Sequence, residues 1–519
     1  MDLITKSPGL KHIAEAILSN LTKENEFTNC RKVNTFWKSI LNTPTFWLKK
    51  CSEKGLSYQY YLEWSKLIQQ PKNQHVDEDV ILHLQKMFFT KTFLPPIQMS
   101  FIDMMQCLGQ KIYNGKLDIM KIMAPISENA NASFPHSDYF GYNFDGYTPI
   151  QIAVDMFWDH MTSKECIEII KILAPFSDNP DAPDPTGWTP IQKIIFVSCH
   201  IRSEEMIQSQ REELIKILAP LSKYLDYVSP NGWTALQFLA EKGNLEIIKI
   251  LAPLSSNPNA PKWTGWTPIH YAAVKGHLEI IKILAPLSDN PNSPDNNGIT
   301  PIYKAAELGY LEVIKILAPL SDNPNAPDNC GFTPIFNAAC DGKLEVIKVL
   351  APLSDNPNAP ENDGATPILM AAYKGYLEIV QFLAPLSDNP NSPNIDGITP
   401  IYAAAQMGNL EIIKILVPLS DNPNSPDYNG ITPIYKAAEK GYLEILKILA
   451  PLSDNPNSPD NKGITPIHKA AEMGYLDVIK ILAPLSDNPN APDNNGITPI
   501  NLATCCDRCK KLLSFSFTN

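Results

Sequence analysis

Cysteine and histidine are the residues of this chain that could do chemistry, because thiolate and imidazole groups bind zinc and take part in nucleophilic catalysis. Segment 505–509 reads Cys-Cys-Asp-Arg-Cys, and the most notable histidines are His270, His277 and His468. A closed zinc site needs four ligands, and neither a second cysteine pair nor a histidine lies near segment 505–509. None of the three histidines has an evident nucleophile partner. We therefore expect no metal site and no catalytic residue, with these histidines in structural or surface positions.

Other catalytic signatures point the same way. The sequence contains no Gly-x-x-x-x-Gly-Lys phosphate loop, no Gly-x-Ser-x-Gly elbow, no kinase signature and no His-Glu-x-x-His zinc motif. The sequence therefore predicts a protein that is not an enzyme and that needs no cofactor.

A strict internal repeat is the strongest pattern in the chain. The threonine of a Gly-x-Thr-Pro turn recurs every 33 residues, at Thr267, Thr300, Thr333, Thr366, Thr399, Thr432, Thr465 and Thr498. Self-similarity at this period indicates a solenoid, in which each unit buries its apolar face only against its neighbours. Such a chain is expected to bind other proteins.

One unit shows how the repeat folds. Thr300 is placed to cap the N-terminus of a helix whose first residue is Pro301, and Gly309 can adopt the left-handed conformation that ends it. Residues 305–306 are alanines, which keep this helix thin where the next unit approaches. Residues 311–317 form a second helix that is apolar around most of its circumference, as expected for a helix covered from both sides.

These motifs resemble the ankyrin repeat, whose Thr-Pro-Leu-His hallmark reads here as Thr-Pro-Ile followed by Tyr, Phe, Leu or His. The resemblance extends over residues 98–519 and implies an all-α solenoid of helix-turn-helix pairs with projecting β-turns. About eleven units and a truncated C-terminal cap are expected. It also implies that a target protein, whose identity the sequence does not give, binds on a concave face lined by the projecting turns and the first helices.

Two features interrupt the regular pattern. Pro319 and its counterparts cannot continue the second helix, so that helix should end or bend there, and the following Ser-Asp-Asn-Pro-Asn should form a turn. Extra residues at 155–166 and 197–210 separate the two helices of early units. We expect these to be helix extensions or loops.

The N-terminal region has a different pattern. Residues 10–47 resemble the F-box, through Ile-Leu-Ser-Asn-Leu at 17–21, Cys-Arg-Lys-Val-Asn-Thr-Phe-Trp at 30–37 and Pro-Thr-Phe-Trp at 44–47. The chain then divides into an F-box-like helical module at 1–50, a helical linker at 51–97 and the repeats at 98–519. A plain helical cap on the repeats is the alternative. The resemblance implies that a Skp-type adaptor is contacted by Ile13, Ile17, Leu21 and Val33.

Composition and charge restrict the partners and the compartment. The net charge is −12, with +3 in residues 1–65 and −15 in the remainder, and no basic stripe is visible, so nucleic acid is not expected as a partner. Apolar runs are far shorter than the ~18 residues that cross a membrane, and the N-terminus does not resemble a signal peptide. The ten cysteines lack the dense spacing of a disulfide scaffold, which favours the cytoplasm or nucleus.

Aromatic and large apolar residues on the repeats are the candidates for target binding. The residue between Gly and Thr of each turn is apolar in every unit, which for the isoleucines indicates packing between turns. Three consecutive units have tryptophan there, and exposed aromatic clusters are typical of binding hot spots, although packing between repeats is the alternative. The candidate target-binding residues are Trp188, Trp233, Trp263, Trp266, Leu308, Phe332, Tyr373 and Met407.

Together, the two resemblances imply a substrate receptor of a Skp-cullin-F-box ubiquitin ligase, with no catalytic residues of its own. Two alternatives are open from the sequence. One is an interaction scaffold without a ligase link, and the other is a microbial effector that recruits host ubiquitination.

Overall fold

The repeat region forms successive pairs of short helices joined by tight turns. The computed structural model describes residues 131, 133, 138–139, 142–143, 146–159, 163–196, 204–503 and 507–515. These residues belong to two compact units, the first containing the chain up to Leu239 together with Glu246–Ser256, and the second Ala240–Leu245 together with the chain from Asn257. The predicted F-box-like module at 1–50 and the linker at 51–97 lie outside the described residues.

Repeats are numbered 1 to 11 from Thr148 to Thr498, and repeat n contains a first helix and a second helix. A two-residue antiparallel pair, β1 (Asp138–Tyr139) and β2 (Tyr142–Asn143), precedes repeat 1. The helices of repeats 1 to 3 are α1 (Pro149–Asp159), α2 (Ser163–Leu173), α3 (Pro190–Phe196), α4 (Glu204–Leu218), α5 (Ala235–Lys242) and α6 (Leu245–Leu251).

Repeats 4 to 11 continue the same order within the second unit. Their helices are α7 (Pro268–Lys275), α8 (Leu278–Leu284), α9 (Pro301–Leu308), α10 (Leu311–Leu317), α11 (Pro334–Cys340), α12 (Leu344–Leu350), α13 (Pro367–Lys374), α14 (Leu377–Leu383), α15 (Pro400–Met407), α16 (Leu410–Leu416), α17 (Pro433–Lys440), α18 (Leu443–Leu449), α19 (Pro466–Met473), α20 (Leu476–Leu482), α21 (Pro499–Leu502) and α22 (Asp507–Phe515). The all-α repeat class is confirmed, with β1 and β2 as the strands among the described residues.

The first helix begins and ends as its sequence predicts. The Thr300 hydroxyl oxygen accepts a hydrogen bond from the Tyr303 backbone N–H at 3.1 Å, and Pro301 is the first helical residue. Gly309 ends the helix in the left-handed conformation, with φ of 80°. The same threonine cap and proline recur in repeats 6 to 10, so local sequence positions these first helices alike.

The second helix is limited by its proline. In repeat 5 the α-helix ends at Leu317, and Ala318–Leu320 forms a 3₁₀ turn before the chain becomes extended at Ser321. Pro319 has no N–H to bond back into the helix, which explains why the α-helix gives way to a 3₁₀ turn there. The predicted end of the helix at this proline is confirmed.

An apolar core runs through the repeats. In repeat 5, Ile302, Ile314 and Leu317 are fully buried, and so are the alanines at 305–306. The small alanines let successive first helices pack directly on one another, and the second helices pack likewise. Each repeat is therefore stabilised by burying apolar side chains against the neighbouring repeats, as expected for a solenoid.

A buried asparagine joins adjacent repeats. Asn325 Oδ1 accepts from the Ile335 N–H at 3.0 Å, and Asn325 Nδ2 donates to the Ser354 hydroxyl of the next repeat at 3.2 Å. Since a buried amide costs free energy unless its groups are bonded, these contacts fix the register between neighbours.

The extra residues of the early repeats lengthen helices. Helix α1 has 11 residues and α4 has 15, against seven or eight in repeats 4 to 10. The predicted helix extensions are thus confirmed for the described residues of these segments, whereas 160–162 and 197–203 lie outside them. None of the described helices is long and apolar enough to cross a membrane.

Candidate functional site

The turn that precedes each first helix is a rigid finger. In repeat 5, Asp295 Oδ1 accepts from the backbone N–H groups of Asn297 and Ile299 at 2.8 and 2.9 Å. The Asp295 N–H donates to the Ile299 carbonyl at 2.8 Å, which closes the loop. Residues carried at the tip of such a finger are held in place before any partner arrives, which reduces the entropy lost on binding.

Neighbouring fingers are joined at their tips, the position four residues before the repeat threonine. The tip N–H of Asn329 donates to the Asn297 carbonyl at 2.9 Å, and this backbone bond recurs in later repeats. The tip side chains add a second bond, because each asparagine amide donates to the carbonyl of the tip residue 33 positions earlier, at 2.9–3.4 Å. The donors are Asn296, Asn329, Asn362, Asn461 and Asn494.

In the second unit, three tips carry a large apolar residue instead of asparagine. Trp263, Ile395 and Tyr428 are 79%, 52% and 74% exposed, respectively. Ile395 and Tyr428 occupy neighbouring fingers, and both retain the backbone bond to the preceding finger, at 2.8 and 3.0 Å. The side chain is replaced while the backbone bond between fingers is kept, and these residues present apolar surface to solvent.

The predicted residues Trp188 and Trp233 lie in the first unit and are half-buried. The Trp188 ring contacts Phe196 edge-on at 5.2 Å, and Trp233 contacts Phe238 at 6.4 Å. Phe196 and Phe238 are 4.2 Å apart, so the two tryptophans border one aromatic cluster. Contact with a target stays a prediction for the exposed part of each ring.

The predicted residues Trp266 and Phe332 are also half-buried and lie in the second unit. Trp266 Nε1 donates to Asp295 Oδ2 of the next finger at 2.9 Å, and its ring stacks on His270 at 5.6 Å. Phe332 packs on Phe336 at 5.1 Å. Both side chains thus contribute to packing between or within repeats, and their contact with a target likewise stays a prediction.

Leu308, Tyr373 and Met407 stand at the ends of first helices and are exposed. Leu308 and Met407 are the last residues of α9 and α15, whereas Tyr373 precedes the last residue of α13. Met473 has the same place as Met407 and is also exposed. The structure places these predicted residues on different repeats, as a dispersed row on the first helices.

The repeat histidines have structural partners. His270 is buried, with its Nδ1 accepting from the Thr267 N–H at 3.1 Å and its Nε2 3.0 Å from the Ile299 carbonyl of the next repeat. Burial lowers the pKa of His270 to about 4. His468 repeats these contacts with Thr465 and Ile497, and burial also lowers its pKa. Neutral imidazoles in these positions link repeats.

The connection that leads from repeat 1 into repeat 2 contains a buried carboxylate, at the position where the connections into repeats 4 to 11 have asparagine. Asp181 Oδ1 accepts from the Ile191 N–H at 2.8 Å, and Oδ2 accepts from the Ser222 hydroxyl at 2.6 Å. Asp181 is fully buried, and this desolvation raises its pKa to about 7, although the hydrogen bonds favour the charged form. It joins two repeats as Asn325 does.

The predicted absence of a metal site and the predicted adaptor contacts concern the last segment and the first segment of the chain. Among the described residues, no group of three or more His, Cys, Asp and Glu could hold a metal ion. Cys505 and Cys506 lie outside the described residues. The four predicted adaptor contacts, Ile13, Ile17, Leu21 and Val33, also lie outside them.

Ile395 and Tyr428 are not among the residues predicted from the sequence. The predicted residues are aromatic or large apolar residues in the general repeat pattern, such as Trp188, Leu308 and Met407. These two positions can be recognised because they differ from the other repeats of the same chain. The tip is asparagine in five repeats, and its side chain bonds the preceding finger. At positions 395 and 428 the asparagine side chain that makes this bond is replaced by an exposed apolar side chain.

Comparison with protein families supports the interpretation of the repeats. The sequence model described as "Ankyrin repeats (3 copies)" matches residues 204–295, 254–328, 302–394 and 368–460. The model described as "Ankyrin repeat" matches residues 462–494. The matched segments together cover more than half of the chain. A search of curated proteins found no match.

Proposed function

We propose a function for this chain from the premise that it belongs to the ankyrin-repeat family, whose repeats are protein-binding modules. The chain acts by binding another protein and carries out no reaction itself. The observation that supports a particular site is the exposure of Ile395 and Tyr428 on two neighbouring rigid fingers. We place the centre of target binding there.

The binding free energy that these two side chains can contribute supports this choice of site. Full burial of one large apolar side chain contributes about 1.5–3 kcal/mol, and a binding hot spot contributes about 2 kcal/mol or more. Ile395 and Tyr428 together can therefore supply most of the affinity of a small interface core. Trp263 occupies the same tip position four repeats before Ile395 and is proposed as a separate contact. Leu308, Tyr373 and Met407 on the first helices are proposed as further contacts.

The chain itself provides the test variant. Ile395→Asn and Tyr428→Asn introduce the residue that other fingers carry, so the fold should be kept and the tip amides should regain their bonds. We expect the double variant to bind captured target about 10–100-fold more weakly. The matched control is Asn329→Ala, which removes a tip bond without removing apolar surface and should leave target binding unchanged. Equal target binding by the double variant and the unmodified chain would contradict the proposed site.

We further propose that the chain is the substrate receptor of a Skp-cullin-F-box ubiquitin ligase. The resemblance of residues 10–47 to the F-box supports this role, because such a module would connect a target bound by the repeats to a cullin ligase. Proximity is then the whole contribution of the chain to modification. The adaptor contacts are Ile13, Ile17, Leu21 and Val33.

Adaptor binding can be tested independently of target binding. Changing Ile17 and Val33 to Asp should abolish co-precipitation of a Skp-type adaptor, because a charge in an apolar contact is costly. The same variant should still capture the target through the repeats. If the unmodified chain binds no adaptor, or the double variant binds it equally, the chain is a scaffold without this ligase link.

A further inference from the structure

A second exposed surface lies at the end of the second helices. From Leu287 to Leu485, every 33rd residue of the second unit is a leucine that follows proline, and two residues later each repeat has an aspartate, from Asp289 to Asp487. These leucines and aspartates are all exposed. We call this row the Leu–Asp edge. It lies on a different part of each repeat from the finger tips.

The leucines of this edge are only partly used by the fold. Leu320 ends the 3₁₀ turn after α10 and is 49% exposed, while Leu317 and Ala318 beside it are buried. The equivalent leucines in the other repeats have nearly the same exposure, 44–52%. A row of half-exposed leucines at a constant interval exposes apolar surface of the kind that marks interaction sites.

The aspartates give this edge an uncompensated negative charge. Among the described residues, Asp322 and its equivalents form no ion pair and no side-chain hydrogen bond, whereas Glu312 on the neighbouring helix is paired with Lys315 at 2.7 Å. The apolar row is therefore bordered by a row of free carboxylates. A partner that fits both rows combines apolar with basic side chains.

The spacing between successive leucines along the edge indicates the secondary structure of that partner. Packed helices of neighbouring repeats lie about 8–10 Å apart. An α-helix rises 1.5 Å per residue, so residues seven apart recur about every 10.5 Å. We propose that the Leu–Asp edge binds a basic amphipathic α-helix of another protein. Its apolar residues, seven positions apart, contact successive leucines, and its Arg or Lys residues contact successive aspartates.

A synthetic probe tests this proposal with the full chain. The probe is a fluorescently labelled 28-residue helical peptide of four identical heptads, each containing leucine and two arginines, and its binding is measured by fluorescence anisotropy. A peptide of the same composition with shuffled spacing should bind at least tenfold more weakly, because it cannot keep register with the repeats. Equal affinity for the two peptides would overturn the proposal, since charge alone would then explain binding.

Two sets of variants locate the binding site. Changing Leu353, Leu386 and Leu419 to Ser, or changing Asp355, Asp388 and Asp421 to Asn, should each weaken binding of the ordered peptide at least tenfold. If the Leu→Ser variant does not fold, the Asp→Asn variant alone tests the proposal. It should fold, because these exposed carboxylates have no partner in the fold.

The matched control changes the same number of charges on the second helices. Glu345, Glu378 and Glu411 are changed to Gln, which should alter affinity less than threefold. The Ile395→Asn/Tyr428→Asn variant should also bind the peptide normally, which distinguishes this edge from the finger-tip site. Unchanged affinity in the Asp set, or an equal loss in the Glu set, would overturn the proposal.

Discussion

Replacing Asp181 by Asn should make repeat 2 more stable at alkaline pH. Asp181 is fully buried at a position that is asparagine in repeats 4 to 11, and burial raises its pKa to about 7 from an ordinary value of 3.8. A carboxyl group whose pKa is raised by folding supports full stability below pH 3.8 and progressively loses it as the pH rises to about 7. The asparagine variant would have no such dependence, and its amide could donate to Ser222 as Asn325 donates to Ser354.

The expected magnitude follows from the pKa. One pH unit corresponds to about 1.4 kcal/mol, or a tenfold change. Between pH 5 and the folded pKa of about 7, the wild-type repeat loses about 3 kcal/mol relative to the variant, and the difference stays constant above that. Other titrating groups are common to both proteins, so they cancel in the comparison.

Hydrogen exchange is a suitable assay because solenoids unfold in parts. The opening free energy of the segment around Ile191, whose N–H is bonded to Asp181, is measured by native-state exchange at pH 5 and pH 8, corrected for intrinsic rates. The protection of Asp181→Asn relative to wild type should rise about 100-fold from pH 5 to pH 8. As a converse control, Asn292→Asp should lose protection at pH 8 in its own repeat. A protection ratio that is the same at both pH values would refute the reasoning.

Three further predictions concern the same interfaces. His270→Gln introduces the residue found at that position in repeats 1 to 3. The wild-type repeat should lose stability as the pH falls below 6.5 towards the His270 pKa of about 4, and the variant should lack this loss. The expected difference at pH 5, measured by hydrogen exchange, is about 2 kcal/mol. Gly298→Ala should destabilise its repeat by at least about 1 kcal/mol more than Gly496→Ala in the same assay. Both glycines have positive φ, but a Cβ at 298 would lie 3.0 Å from the next finger's backbone, whereas none lies within 4 Å at 496. Ile395→Asn/Tyr428→Asn should keep or raise the thermal midpoint of the chain, and a marked fall would show that these side chains stabilise the fold.

The helical frame of the repeats could be predicted from the sequence because each boundary has a local cause. Thr300, Pro301, Gly309 and Pro319 act through their own backbone and side-chain chemistry, so one repeat suffices to place two helices. The link between repeats through Asn325 was not predicted, because it joins residues of different repeats and depends on how they stack.

The candidate site was harder to predict because exposure depends on stacking. Trp266 has the aromatic character of a hot spot, yet its indole N–H bonds Asp295 and its ring covers His270. Ile395 is an ordinary β-branched residue whose importance appears only when the tip position is seen to be bonded asparagine elsewhere. Residue type thus predicted which positions are apolar, while the contacts between fingers determine which of those side chains are exposed to a partner.

Site-specific photo-crosslinking tests the central claim that a protein partner binds at the apolar finger tips. A photoreactive phenylalanine analogue is introduced at position 428, and in a matched chain at position 494, an exposed tip whose asparagine bonds the preceding finger. After irradiation with captured target, we expect strong crosslinking from position 428 and little from position 494. Equal crosslinking from both positions, or crosslinking from 494 alone, would contradict the account.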